Sequence, residues 1–130
     1  MKYIWDTGAL SLFFSNHKES KELMRKSIES ENTFIVPILI MAEFYSKMVE
    51  KKGKENAEIR LVALRQSGAQ ERPLKVSDIP KVGLLKARNR SLSLADCVLV
   101  QLSINNKATI ITTERPLARI KGIKVIKLDF

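Results

Sequence analysis

Apolar positions along this chain fall into runs whose period predicts the element each forms. Three short runs are β-branched and aromatic and read as buried strands: KYIW at 2–5, TFIV at 33–36 and TIIT at 109–112. Lys124–Ile126 reads as a last strand, and Arg72–Val76 as a weaker one. Between them, apolar residues recur at helical spacing. Thr7-Gly8 open a helix through about Asn16, and His17 to Ser30 read as a second, more exposed helix. Pro37 stands at a first helical position for a helix reaching Lys52, with Gly53 as its stop. Residues 54–67 form another amphipathic helix. Ser77 or Asp78 caps one with Pro80 in its first turn, running to about Arg90. Ser93 opens the most apolar helix, through Asn105, and Arg115–Ile120 form a short one.

Strands separated by helices predict an α/β chain, with a mostly parallel sheet of about five strands between two helical layers. At 130 residues, with neither repeat nor linker, residues 1–130 are expected to form one domain. Hydrophobic content of 45% and charged content of 28% are those of an ordinary soluble globular protein. A membrane span is not expected, because no apolar run approaches the required length. MKYIWDTGAL is interrupted by Asp6 too soon for a signal peptide, so the cytoplasm is the expected compartment.

Charge narrows the choice of partner. Lys and Arg total 23 against 14 Asp and Glu, a net charge of +9, which favours a polyanion, with nucleic acid first. One cysteine, Cys97, and one histidine, His17, exclude an internal disulfide and a closed Cys/His zinc site within one chain.

Against that basic balance, four acids stand in apolar surroundings: Asp6 in KYIWDTGAL, Glu43 in VPILIMAEFY, Asp96 in SLADCVLVQL and Glu114 in ATIITTERPL. Each has a local explanation. Asp6 could cap the helix after it, Glu43 could pair with Lys47, Asp96 could complete a capping box with Ser93, and Glu114 could complement the last helix. Taken together they point elsewhere. Asp6 and Glu114 follow strands directly, Glu43 lies in the second turn after the second strand, and Asp96 lies in the first turn of an apolar helix, where it is expected deep. In a parallel sheet all four lie at the carboxyl edge, where such folds place their sites. Converging carboxylates repel one another unless cations intervene, and Mg²⁺ or Mn²⁺ suits an all-oxygen site.

These motifs resemble those of PIN-domain ribonucleases, above all the small VapC-type toxins. The likeness rests on Asp6-Thr7 after the first strand, Glu43 in the helix after the second, Leu94-Ala95-Asp96 opening the late apolar helix, and Thr112-Thr113-Glu114 closing the next strand. It covers essentially the whole chain. Two departures stand out: Glu114 replaces the usual Asp, and Pro116 stands where many relatives carry a further acid. The resemblance implies a PIN-like three-layer α/β/α sandwich. It implies a metal-dependent endoribonuclease, the toxin of a toxin–antitoxin pair, with an antitoxin partner and a homodimer built on the helices from Glu43 to Leu64.

Asp6 and Asp96 would be primary metal ligands, with Glu43 and Glu114 ligating directly or through water. The cation would make water acidic enough to attack a phosphodiester. Thr7 and Thr112 would orient carboxylates or waters, and Arg88, Arg90 and Arg115, which flank the acidic motifs, are candidate phosphate contacts. Cys97 reads as a buried small hydrophobe and His17 as a capping or loop residue. Trp5, Phe13 and Phe14 read as core or as an oligomer contact. The alternative is a degenerate PIN fold that binds RNA or protein without cutting. A phosphatase is disfavoured by the charge and by the missing Gly-rich phosphate loop.

Overall fold

Four of the five predicted strands occur at or next to their expected positions, and the weaker one is displaced towards the N-terminus. The computed structural model describes residues 1–129, so the domain expected over 1–130 extends one residue, Phe130, outside the described residues. The strands are β1 (Lys2–Trp5), β2 (Thr33–Pro37), β3 (Gln70–Arg72), β4 (Thr109–Thr112) and β5 (Val125–Lys127). The helices are α1 (Thr7–Phe14), α2 (Lys18–Ser27), α3 (Ile38–Lys52), α4 (Lys54–Gln66), α5 (Ile79–Arg88), α6 (Leu94–Asn106) and α7 (Arg115–Ala118). A single 3₁₀ turn, Val76–Asp78, leads into α5.

The sheet runs β3-β2-β1-β4-β5, and every neighbouring pair is parallel. Successive connections move outward from β1 through β2 to β3, then cross back over to β4. Right-handed crossovers therefore put α1–α4 on one face and α5–α7 on the other, giving three layers. The chain reverses its direction of travel across the sheet between β1 and β4, the kind of position where open α/β sheets leave a crevice.

The core explains why these strands are apolar. Ile4, Trp5, Ile35, Val36, Ile110 and Ile111 have no exposed surface, and neither do Phe44, Leu99 and Leu117 from the helices. Strands covered on both faces must be apolar throughout rather than alternating. Trp5 places its indole N–H on Ser27 Oγ at 3.0 Å, so its one polar atom is satisfied within the core.

Several boundaries differ from expectation. The third strand is Gln70–Arg72 rather than Arg72–Val76. Pro73 has no N–H to continue the ladder, and the segment is an edge strand with partial exposure. Pro37 is the last residue of β2, paired with Arg72, and precedes α3 instead of opening it. The missing N–H costs nothing there, because only its carbonyl is needed to start the helix. Helices α1, α2, α5 and α7 stop two or three residues short of their sequence limits, as helix ends commonly do. Gly53, at φ +87°, turns the chain between α3 and α4 as its position suggested.

Ile110→Ala should cost about 3 kcal/mol through lost burial and a residual cavity, whereas Val76→Ala, on a side chain 84% exposed, should stay within about 0.5 kcal/mol. Urea midpoints at unchanged slope would show the difference. Equal midpoints would contradict the placement of the core.

Candidate active site

Asp6 continues the β1–β4 ladder, its N–H donating to the Ile111 carbonyl at 3.0 Å. Its side chain is 3% exposed. Oδ1 accepts the Ala9 N–H at 2.8 Å, capping α1, and Oδ2 accepts the hydroxyl of Thr112. Thr112 Oγ1 in turn accepts the Glu114 N–H at 2.9 Å. One hydroxyl thus links the ends of β1 and β4 and orients the turn that carries Glu114.

Glu43 is half-buried in the second turn of α3, and its Oε1 accepts the Thr7 hydroxyl. The expected pairing with Lys47 is not made among the described residues. Asp96 completes the capping box of α6: its N–H donates to Ser93 Oγ at 3.1 Å and its Oδ2 accepts the Ser93 N–H at 3.2 Å. It is half-buried rather than deep, because the first turn of α6 reaches the surface; Leu94 is 58% exposed. Glu114 is exposed at the N-cap of α7, without a side-chain cap bond.

The acids sense one another electrostatically. Burial pushes the Asp6 carboxyl up from 3.8 to about 6 against the lowering effect of the Thr112 and Ala9 hydrogen bonds, and the charges of Asp96 and Glu114 raise it further. Three of the four acids therefore act on one spot at the carboxyl edge, and Glu43 is tied to the residue beside it.

The donor chemistry suits a hard divalent cation, since all four groups offer oxygen and the mutual repulsion at Asp6 would be relieved by positive charge. The arrangement is not a closed cage. Among the described residues, no group of three or more His, Cys, Asp or Glu side chains is placed to hold a metal ion. Asp6, Glu43, Asp96 and Glu114 are thus not gathered as a joint ligand set in this structure. Three of the carboxylates are held by their own donors, Asp6 by Ala9 and Thr112, Glu43 by Thr7 and Asp96 by Ser93, rather than turned onto a common point. Such an edge suits an ion that keeps several waters and takes only one or two carboxylates directly.

The arginines are less organised. Arg88 ends α5, Arg90 lies in the following loop and Arg115 opens α7; all three are exposed. Arg115 is near enough to Asp129 to help lower that carboxyl.

Two features were not found from sequence. Lys86 Nζ donates to the carbonyls of Arg90 at 3.1 Å and Leu92 at 2.7 Å, bracing the loop that delivers Asp96, and its charge reaches Cys97. No sequence signal marks it among 23 basic residues. Gly8 faces Thr113 so closely that a Cβ there would collide with the threonine hydroxyl. Its signal was the glycine directly after Asp6-Thr7. Cys97 is fully buried and His17 caps α2 through Nδ1, both as expected.

An all-parallel α/β sandwich with carboxylates collected at its switch point defines an α/β protein with an acidic site at the strand ends. A family model described as PIN domain matches residues 3–123, and the chain belongs to that family. No curated protein matches the chain. Among solved structures, VapBC2 from Rickettsia felis bound to a DNA fragment from its promoter is similar at TM-score 0.80 and 16% identity, over 99% of this chain and 100% of that one. VapBC-1 from nontypeable Haemophilus influenzae is similar at TM-score 0.78 and 14% identity, over 98% of each chain. VapC20 from Mycobacterium tuberculosis, described as a sarcin–ricin loop cleaving toxin, is similar at TM-score 0.68 and 11% identity, over 83% of this chain and 86% of that one.

Without metal, the raised Asp6 carboxyl makes stability fall with rising pH. Between 3.8 and about 6 the folded chain keeps a proton that the unfolded chain has released, a loss of about 3 kcal/mol across the window. Asp6→Asn keeps a carbonyl acceptor for Ala9 and carries no charge. Urea unfolding in EDTA should find it more stable than wild type near pH ~7.5, the advantage shrinking towards pH ~4. Parallel pH profiles for the two chains would refute the burial argument.

Proposed function

We propose that this chain is a divalent-metal-dependent endoribonuclease, the toxin component of a toxin–antitoxin pair. The observation that carries the reading is the buried Asp6 at the switch point of a PIN sheet, with Asp96 and Glu114 charging the same spot. Asp6 and Asp96 would hold Mg²⁺ or Mn²⁺ directly, with Glu43 and Glu114 ligating directly or through water. The bound cation supplies acidified water and offsets charge on the phosphate.

The chain's own residues do the positioning. Thr112 and the Ala9 N–H hold the plane of the Asp6 carboxylate, Thr7 holds Glu43, and Ser93 holds Asp96. Arg88, Arg90 and Arg115 bind substrate phosphates around the acids. The net charge of +9 draws RNA to the surface and makes binding salt-dependent.

A protein antitoxin is the expected partner, in line with the VapBC assemblies of similar fold. The chain forms a homodimer, for which α3 and α4 leave Ile38, Leu39, Ile59 and Val62 exposed. Among the described residues, no helix is long and apolar enough to cross a membrane, and the proposed place of action is the cytoplasm. The second reading, a PIN fold that binds without cutting, draws on the absence of a preformed cage among the described residues.

Purified chain should cut total RNA with Mg²⁺ or Mn²⁺ and not in EDTA, and Asp96→Asn should abolish cutting. Cleavage surviving in Asp96→Asn would refute the assignment. RNA binding without cleavage in any metal would move the conclusion to the second reading. Thr112→Val, which frees Asp6 but leaves the four acids in place, should reduce the rate roughly 10–100-fold. Light scattering should return twice the chain mass of 14.8 kDa.

A further inference from the structure

The opposite edge of the sheet carries a different chemistry. A cavity of about 380 Å³ opens at the amino ends of β1, β4 and β5, at the low end of the range for small-molecule sites, about 300–1,000 Å³. Lys2 at the start of β1, Lys107 at the end of α6 and Lys124 just before β5 line it, together with Ile104, Ile123 and Ser103. No acid lines it.

The three ammonium groups are uncommitted. Among the described residues, none of them makes an ion pair, and none donates a side-chain hydrogen bond. Several backbone acceptors around them are engaged by other donors. Ile104 and Ser103 carbonyls take the Lys107 N–H, Ser103 carbonyl also takes the Ala108 N–H, and Ser103 Oγ donates to the Ala108 carbonyl at 3.1 Å. The Lys124 carbonyl takes the Ile110 N–H at 2.9 Å. All three side chains are exposed, and together they give the concavity a positive potential that favours an anion. Beside them is apolar surface that folding leaves uncovered: Ile104, in the last turns of α6, is 49% exposed.

We propose that this amino-edge pocket binds a nucleotide, with Lys2, Lys107 and Lys124 on its phosphate and Ile104 and Ile123 against its base. A simple inorganic anion would use the lysines and leave the apolar wall bare, whereas a nucleotide uses both. The site is separate from the acids, from which it is divided by the length of β1, roughly 13 Å. The nucleotide is either free or one unit of an RNA chain; the second case rests on the proposed ribonuclease reading and would make the pocket a second grip on the substrate.

Binding is measured in EDTA, so that nothing is cut, with adenosine monophosphate and with a fluorescein-labelled single-stranded RNA of about twelve nucleotides as probes. The test variant is Lys2→Ala/Lys107→Asn/Lys124→Ala. Asn is chosen because residue 107 sits at φ +52°, which Asn tolerates. The control removes the same charge from α2: Lys18→Ala/Lys21→Ala/Lys26→Ala. The pocket variant should lose at least tenfold in affinity against the control. For the RNA, the slope of log affinity against log salt should fall by about 0.7, the value for one phosphate contact on a single strand.

Loss for both probes identifies a free-nucleotide site, and loss for RNA alone identifies a substrate grip. Equal affinities of pocket variant and control would overturn the proposal. Acetylation of wild-type lysines gives a check that needs no variant: adenosine monophosphate or the RNA should protect Lys2, Lys107 and Lys124 ahead of Lys18, Lys21 and Lys26, and uniform labelling would overturn the proposal. The two readings fail separately. A chain that cuts no RNA yet binds through these lysines keeps the pocket and loses the nuclease, and a chain that cuts RNA with the pocket variant unimpaired does the reverse.

Discussion

The hydrogen bond from Thr112 to Asp6 joins the ends of β1 and β4, the two strands between which the chain reverses its direction across the sheet. Glu114 and Glu43 are both referred to it, while Asp96 is held separately by Ser93. The same threonine oxygen receives the Glu114 N–H, and the same aspartate caps α1, whose first residue, Thr7, holds Glu43. An uncharged Ser or Asn would cap α1 as well without a desolvated charge. Asp6 instead leaves its carboxyl raised to about 6, so the position is destabilising in the absence of a cation. A side chain that costs stability where a neutral one would serve the fold is most simply explained by chemistry performed there.

The local roles of these acids are compatible with the roles proposed for them. Asp6 does cap a helix, and Asp96 does complete a capping box. A backbone N–H occupies one lone pair of an oxygen and leaves others available. Capping therefore fixes a carboxylate in place while preserving its capacity to accept a water or an ion. The same bonds explain why no tight cage forms in advance. Asp6 and Asp96 are anchored at the starts of α1 and α6 and Glu43 is tied to Thr7, so each is positioned separately.

Charge is sorted along the strand direction. The acids gather at the carboxyl edge, while Lys2, Lys107 and Lys124 surround a cavity at the amino edge. A parallel sheet makes this separation possible, because all its strands begin on one side and end on the other. Residues that precede strands and residues that follow them therefore form two distinct surfaces, whatever their order in sequence.

Most strand and helix positions and the parallel arrangement of the sheet were legible in the chain, because burial on both faces forces apolar runs and parallel neighbours need long crossovers, usually helical. Cys97 and His17 were legible for the same local reasons. Other features depended on partners distant in sequence. The shallow setting of Asp96 and the partner of Glu43 were settled by which helix start met which strand end. The brace from Lys86 and the contact of Gly8 with Thr113 depended on how loops cross above the sheet. The lysines of the amino edge, at 2, 107 and 124, carry no pattern at all until the fold sets three strand beginnings side by side. Periodicity records what each segment buries, whereas a site is made of what several segments leave exposed at one place, and only tertiary packing decides that.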